Sequence, residues 1–267
     1  MRKIIQILLI LFGFGITLNA TPKGCYEIYK LDKQNIIDTA IFVLIDETTL
    51  FDQNLKDQII SNALSFVESS NHIYIGKFSA LIGGKYNETL FDFSLDTHLS
   101  NQERYDINKS MLNKIDKCLN DQIGFVRKNT KKSIEGSFGT NDIAKSDILY
   151  ALKDFAKSVI APLNAKRKIV ILASDMLENS AITSFYANNA VRQIDSNKEL
   201  SIVAKNDLFG DFGGAEVFII GAGISSKKSY VNPKMLASLT NFWQEYFAKS
   251  NATLKNIGTP ALKSAIR

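Results

Sequence analysis

Cysteine and histidine are both scarce in this chain: Cys25 and Cys118 are its two thiols, and His72 and His98 its two imidazoles. The histidines show no helical spacing and no flanking pattern of a site, so catalysis by a Cys–His pair is not expected. Proline is rare, at 4 of 267 residues, and no long low-complexity run appears, so disorder is not expected over most of the length. There is no internal repeat. There is no phosphate-cradling Gly-x-x-x-x-Gly-Lys loop and no Gly-x-Ser-x-Gly nucleophile elbow. The glycines of 210–214 precede a predicted strand, not a helix, so they are badly placed to hold a nucleotide phosphate. Charge of one sign is also modest. The net charge is +5, and Arg2 and Lys3 belong to the N-terminal segment. The sharpest basic cluster is Arg127, Lys128, Lys131 and Lys132. It reads as a solvated loop, because a nucleic-acid patch needs more cations and aromatic residues between them to stack bases. No nucleic-acid partner is expected.

What is present begins at the N-terminus. Residues 1–20 consist of a basic start (Arg2, Lys3), an apolar run from Ile4 to Leu18, and then Asn19 and Ala20. That is the layout of a secretory signal, with cleavage after Ala20. Leu18 occupies a place that prefers a small residue and Gln6 dilutes the run, so a retained membrane anchor is the alternative, although the run is short for a span. No second stretch is long enough to cross a bilayer. The chain is therefore expected to be exported, periplasmic or secreted, and to meet a membrane only through this segment if it is retained. Export places the thiols where disulfides persist. One Cys25–Cys118 bridge is expected, the alternative being two unpaired thiols. Cys25 lacks the preceding residues that lipoprotein processing requires.

The remaining chain reads as alternating strands and helices. Ala40–Ile45 is a continuous apolar, β-branched run that reads as a strand buried on both faces, and Lys168–Ala173 and Glu216–Ile220 read as a second and a third buried strand. His72–Phe78 and Glu88–Leu95 alternate and read as neighbouring strands. Helices are predicted over Leu55–Val67 with Asp52 as cap, over Ile148–Ile160 closed by Pro162, over Ile182–Ile194, and over Pro233–Lys249. The polar, lysine-rich stretch 99–135 reads as an inserted helix and loop. The organisation is thus an N-terminal extension at 21–37, one domain at 38–250, and a tail at 251–267. The fold class is α/β: a doubly wound, mostly parallel central sheet with helices on both faces. In such sheets ligands bind outside the carboxyl ends of the strands, where Asp46 and Asp175 fall.

Three segments carry a family likeness: Phe42-Val-Leu-Ile-Asp46-Glu-Thr48-Thr-Leu50, Ser146-Asp-Ile-Leu-Tyr-Ala-Leu152, and Ile169-Val-Ile-Leu-Ala-Ser-Asp175. Their order resembles the von Willebrand factor A family, with its metal-ion-dependent adhesion site. The resemblance puts Asp46 and Thr48 in the first motif, Ser146 at the threonine position with Thr140 as a rival, and Asp175 at the last aspartate. Four positions depart from the pattern: Leu50 replaces a hydroxyl, Ala144-Lys145 replace glycines, and Met176 replaces a glycine. The resemblance implies Mg2+ as cofactor, held by oxygens from Asp46, Thr48, Ser146 and Asp175, with one position open to a carboxylate of a protein partner. The alternative is that Asp46 and Asp175 only cap adjacent loops. Glu47 and Glu178, near the same edge, read as solvated.

The function expected from this likeness is a non-enzymatic protein-binding module in adhesion or in assembly of an envelope or secretion complex. A metal-free scaffold is the second reading and a metal-dependent hydrolase a distant third.

Overall fold

The computed structural model describes residues 22–82, 85–139, 145–188, 190–224 and 231–267. The signal-like segment 1–20, Thr140 and Ala144 lie outside the described residues.

In chain order the elements are α1 (Cys25–Ile28), β1 (Thr39–Asp46), α2 (Gln53–Leu64), β2 (Asn71–Ile82), β3 (Lys85–Ser94), α3 (Asn101–Tyr105), α4 (Lys109–Glu135) and α5 (Ile148–Phe155). A π-helical turn, Ala156–Ile160, extends α5. Then come β4 (Arg167–Ala173), β5 (Tyr186–Ala187), β6 (Ala190–Val191), α6 (Ser196–Lys205), β7 (Ala215–Ile220), α7 (Pro233–Lys249) and β8 (Ala252–Ile257). Six strands form one sheet in the order β3-β2-β1-β4-β7-β8. β3 runs antiparallel to β2, and all other neighbours are parallel.

Both faces of the sheet are covered, which is why its central strands tolerate no polar alternation. On one face Phe42, Leu44, Val170, Leu172, Val217 and Ile219 pack with residues of α5, α6 and α7, including Phe155, Val203, Phe242 and Trp243. On the other, Ile41, Val43, Ile45, Ile169 and Ile171 pack with Leu55 and Ile59 of α2 and Val126 and Ile134 of α4. Each such side chain contributes roughly 1.5–3 kcal/mol by leaving water. The α/β, doubly wound reading of the sequence holds.

Four details differ from the expectations. First, 182–194 is not a helix. It folds as a two-stranded hairpin, β5 with β6, and the helix α6 starts only at Ser196. Asn188 takes a left-handed backbone (φ 52°) at the turn, which Asn tolerates better than most residues. Arg192 Nη2 reaches the buried Glu199 carboxylate at 2.7 Å and its Nε donates to the Ser184 carbonyl, fixing the hairpin. Second, 99–135 is not helix plus loop. α4 is one 27-residue helix that packs on α2, β2 and β3, and it contains the cluster 127–132 read as a loop. Third, the segment after 250 is not a tail. β8 adds the sixth strand, Leu262 and Ile266 are buried, and the Ile266 amide donates to Asn62 Oδ1 at 2.8 Å. Fourth, Glu178 is fully buried, not solvated.

Cys25 and Cys118 are bridged, with Cα atoms 5.8 Å apart, so the N-terminal extension is stapled to the middle of α4. The buried Asp96 carboxylate reinforces the staple. It accepts the Cys25 amide at 2.5 Å and Gln122 Nε2 of α4 at 3.0 Å, and it also holds Asn35.

Candidate functional site

The position of the site follows from strand order. β1 connects through α2 to β2 on one side, and after β3 the chain crosses to β4 on the other side of β1. The carboxyl ends of β1 and β4 therefore flank the topological switch point, the place where sheets of this kind bind ligands. The parallel register pairs Ile45 with Ala173, so Asp46 and Ser174 emerge side by side.

Asp46 is wholly buried at this point, and hydroxyl groups surround it. Its Oδ1 accepts the Thr48 amide at 2.9 Å and the Thr48 hydroxyl at 2.6 Å. Its Oδ2 accepts the Ser174 hydroxyl at 2.8 Å and, more loosely, the Ser146 hydroxyl at 3.4 Å. Burial pushes the Asp46 carboxyl above its ordinary range, and the hydroxyls of Thr48 and Ser174 and the Thr48 amide pull it back. Among the sequence-predicted residues, Asp46, Thr48 and Ser146 are thus in direct contact.

Asp175 stands one residue beyond Ser174 and is half-buried. Its amide donates to Thr49 Oγ1 at 3.0 Å, its Oδ1 accepts the Leu177 amide at 2.8 Å, and its carbonyl accepts the Gly223 amide at 2.9 Å. These bonds tie together the loops that follow β1, β4 and β7. Ser146 is held from the other side, since its backbone and that of Asn179 exchange two hydrogen bonds, at 3.0 and 3.3 Å. Met176, at the position where the likeness expects glycine, adopts φ 62°, a backbone region that glycine enters freely. Its carbonyl accepts Trp243 Nε1 at 2.9 Å and its amide donates to Ser174 Oγ at 3.0 Å, which together hold the strained residue in place. Leu50 is 37% exposed beside the site.

Sequence reasoning missed two residues here. Ser174 makes the stronger of the two hydroxyl bonds to Asp46 Oδ2, yet only the β1–β4 register could have linked them. Glu178 caps α5 from within: its Oε2 accepts the Leu149 amide at 3.0 Å, while Oε1 has no hydrogen-bond partner. Burial lifts its pKa to about 8, the neighbouring Asp147 adds to the rise, and the amides of Leu149 and Ile148 oppose it. The Ser180 hydroxyl is the largest influence that opposes it. At the rim, Glu47 pairs with Lys77 at 2.8 Å, and Lys77 also reaches Glu88 at 3.3 Å.

In donor chemistry the site fits a hard cation, for it offers carboxylate and hydroxyl oxygens and no thiol or imidazole. The oxygens of Asp46 are already committed to hydroxyl donors, and among the described residues no three His, Cys, Asp or Glu side chains cluster as a metal group.

No protein-family model matches the chain, and no curated protein matches it in sequence. Solved structures do align. Proximal thread matrix protein 1 of the mussel byssus is 12% identical over 79% of this chain and 45% of its own, with a TM-score of 0.35. The pilus adhesin SpaC of Lactobacillus rhamnosus GG is 11% identical over 80% of this chain and 27% of its own, with a TM-score of 0.43. An aerotolerance-related membrane protein of Bacteroides fragilis is 12% identical over 84% of this chain and 92% of its own, with a TM-score of 0.33. The chain spans less than half the length of the first two.

Proposed function

We propose that this chain is an exported, von Willebrand factor A-like binding module that engages a protein partner at the crevice between the β1 and β4 ends. One observation carries the reading: a buried carboxylate, Asp46, collects hydroxyls from three separate chain segments at the topological switch point. Such convergence is unnecessary for a loop cap, which needs only local amides. In this reading Thr48 and Ser146 offer hydroxyl oxygens to Mg2+ and Asp46 and Asp175 supply the charge. Bound Mg2+ would leave a position for a carboxylate of the partner. The chain is not an enzyme in this reading.

A second reading, a metal-free scaffold, draws on the same carboxylate and on Leu50. Four hydrogen bonds already satisfy Asp46 without a cation, and Leu50 removes one hydroxyl.

Calorimetric titration with Mg2+ and Mn2+ separates the two, using the unmodified chain, Asp175→Ala, and the Asp46→Ala, Asp175→Ala double variant. Saturable binding that is lost in folded variants supports the ion-dependent module. No heat from a folded wild-type chain leaves the scaffold reading standing and sinks the metal one.

A further inference from the structure

The charge excess of this chain is gathered on one helix. α4 carries Lys109, Lys114, Lys117, Arg127, Lys128, Lys131 and Lys132, all exposed. Its carboxylates are Asp116, Asp121 and Glu135, so seven cations less three anions leave +4 on a helix of a chain whose whole net charge is +5. Asp116 is spent in a two-point bond with Arg104 of α3, and Glu135 pairs with Lys131 at 3.8 Å. The inward stripe is Ile115, Leu119, Gln122, Val126, Thr130 and Ile134, all buried. At 100° per residue Lys114, Lys117, Lys128, Lys131 and Lys132 fall on the opposite side of the helix. The result is a cationic face that runs about 27 Å from Lys114 to Lys132.

A second, independent observation says what lies next to it. The apolar run Ile4–Leu18 ends seven residues before Cys25, and Cys25 is bonded to Cys118 in the middle of α4. Seven residues reach at most about 25 Å. Wherever that run is buried in a bilayer, the staple holds α4 within the same reach of the lipid surface. Apart from α1, which contains Cys25, no other described helix is disulfide-bonded to this end.

We propose that the outer face of α4 is a docking surface for an anionic lipid bilayer, with the Cys25–Cys118 bridge setting its orientation. The attraction is between lysine ammonium groups and lipid phosphates and needs no pocket. The charge attraction acts without the N-terminal run, and the bridge sets the orientation where that run is retained. If the run is retained, one tether and one basic face give the two weak signals that stable attachment needs, and the tether raises the local concentration of the face. Phe125, 37% exposed on the flank of the same helix, offers an apolar side chain to the interface. A nucleic acid would need several stacking aromatics among the cations, whereas α4 has Phe125 alone, and that ring already packs on Phe91 and Phe93.

The test uses the full chain with phosphatidylcholine vesicles, alone or with phosphatidylglycerol added. Partitioning is read by sedimentation and lysine exposure by acetylation footprinting. On anionic vesicles, and not on neutral ones, Lys117, Lys128, Lys131 and Lys132 should become protected, and added salt should reverse the protection. Replacing Lys128, Lys131 and Lys132 by Glu should weaken partitioning by about fivefold or more for each cation lost. The N-terminal run is intact in that variant, so the loss belongs to α4. The salt titration of the unmodified chain reads the same contact should the variant fold poorly. Equal lysine exposure on both vesicle types would overturn the proposal, as would protection of these lysines by an oligonucleotide but not by anionic lipid.

Discussion

Replacing Glu178 by Gln should change how the stability of this protein depends on pH. The wild-type carboxyl is wholly buried, with one oxygen on the Leu149 amide and the other unpaired. Its folded pKa is raised from 4.5 to about 8. The sign follows from proton counts. Below about pH 4.5 both folded and unfolded chains hold the proton and the group contributes no slope. Between about 4.5 and about 8 the unfolded chain releases the proton and the folded one keeps it, so stability falls as pH rises. Above about 8 both have lost it and the slope vanishes. At 1.36 kcal/mol per unit the full window is worth roughly 3 to 5 kcal/mol. Asp46 is shifted in the same direction and adds to the wild-type slope, so the quantity to read is the difference between the two proteins. Glutamine keeps an oxygen for Leu149 and cannot ionise. The variant should match wild type near pH 5 and exceed it by a few kcal/mol near pH 9. Urea unfolding across that range, followed by far-ultraviolet circular dichroism, measures both curves. Parallel curves would refute the reasoning, because they would mean that Glu178 does not hold its proton in the folded state.

Other expectations follow from the same contacts. Ser174→Ala removes a hydroxyl from Asp46 Oδ2 and leaves the Met176 amide without its acceptor, so it should cost about 2–4 kcal/mol. Its effect should be smaller when Asp46→Asn is already present, as a double-mutant cycle by urea unfolding would read. Gly221 has φ 107°, and a Cβ there would meet Phe51 at 2.7 Å and the Ser174 carbonyl at 3.1 Å. Gly221→Ala should therefore destabilise by more than about 2 kcal/mol and shift the amide resonances of both site loops. Reducing the Cys25–Cys118 bridge opens a loop of 93 residues, worth at most about 4–5 kcal/mol of chain entropy. Hydrogen exchange should then rise first in 22–37 and α3, and stay unchanged in β1 and β4.

The strands buried on both faces were legible because their chemistry is uniform. Ala40–Ile45 and Ile169–Ala173 contain no polar residue, and no helix or loop reading competes with that. Where chemistry is mixed, the pattern misleads. Ile182, Phe185, Tyr186, Ala190, Val191 and Ile194 recur at helical spacing, yet the chain turns at Asn188 and the backbone of Phe185 bonds to Glu178 and Arg192. The inner stripe of α4 contains Gln122 and Thr130, which dilute its apolar period. Gln122 is there to serve Asp96, accepting its amide at 2.9 Å. β8 alternates half-buried and exposed residues at first because it is an edge strand with one side open, and such composition resembles a tail. The site divides the same way. Asp46, Thr48 and Ser146 were legible through a motif order, whereas Ser174 became a partner only through the register of two strands far apart in sequence. Glu178 was misread because an isolated carboxylate is ordinarily exposed.

The two proposed surfaces are set by different parts of the fold, and this makes them separable. α4 covers a flank of the sheet, packed on α2, β2 and β3, whereas the Asp46 site lies at the carboxyl ends of β1 and β4. A bilayer under α4 would contact none of the residues that converge on Asp46. Charge reversal at Lys128, Lys131 and Lys132 should then release the chain from anionic vesicles without altering Mg2+ heats or partner capture at Asp46. The Asp175→Ala variant should do the converse. If either change moved both readouts in a folded protein, the two surfaces would be one interface, and the assignment of separate roles to α4 and to the switch point would fail.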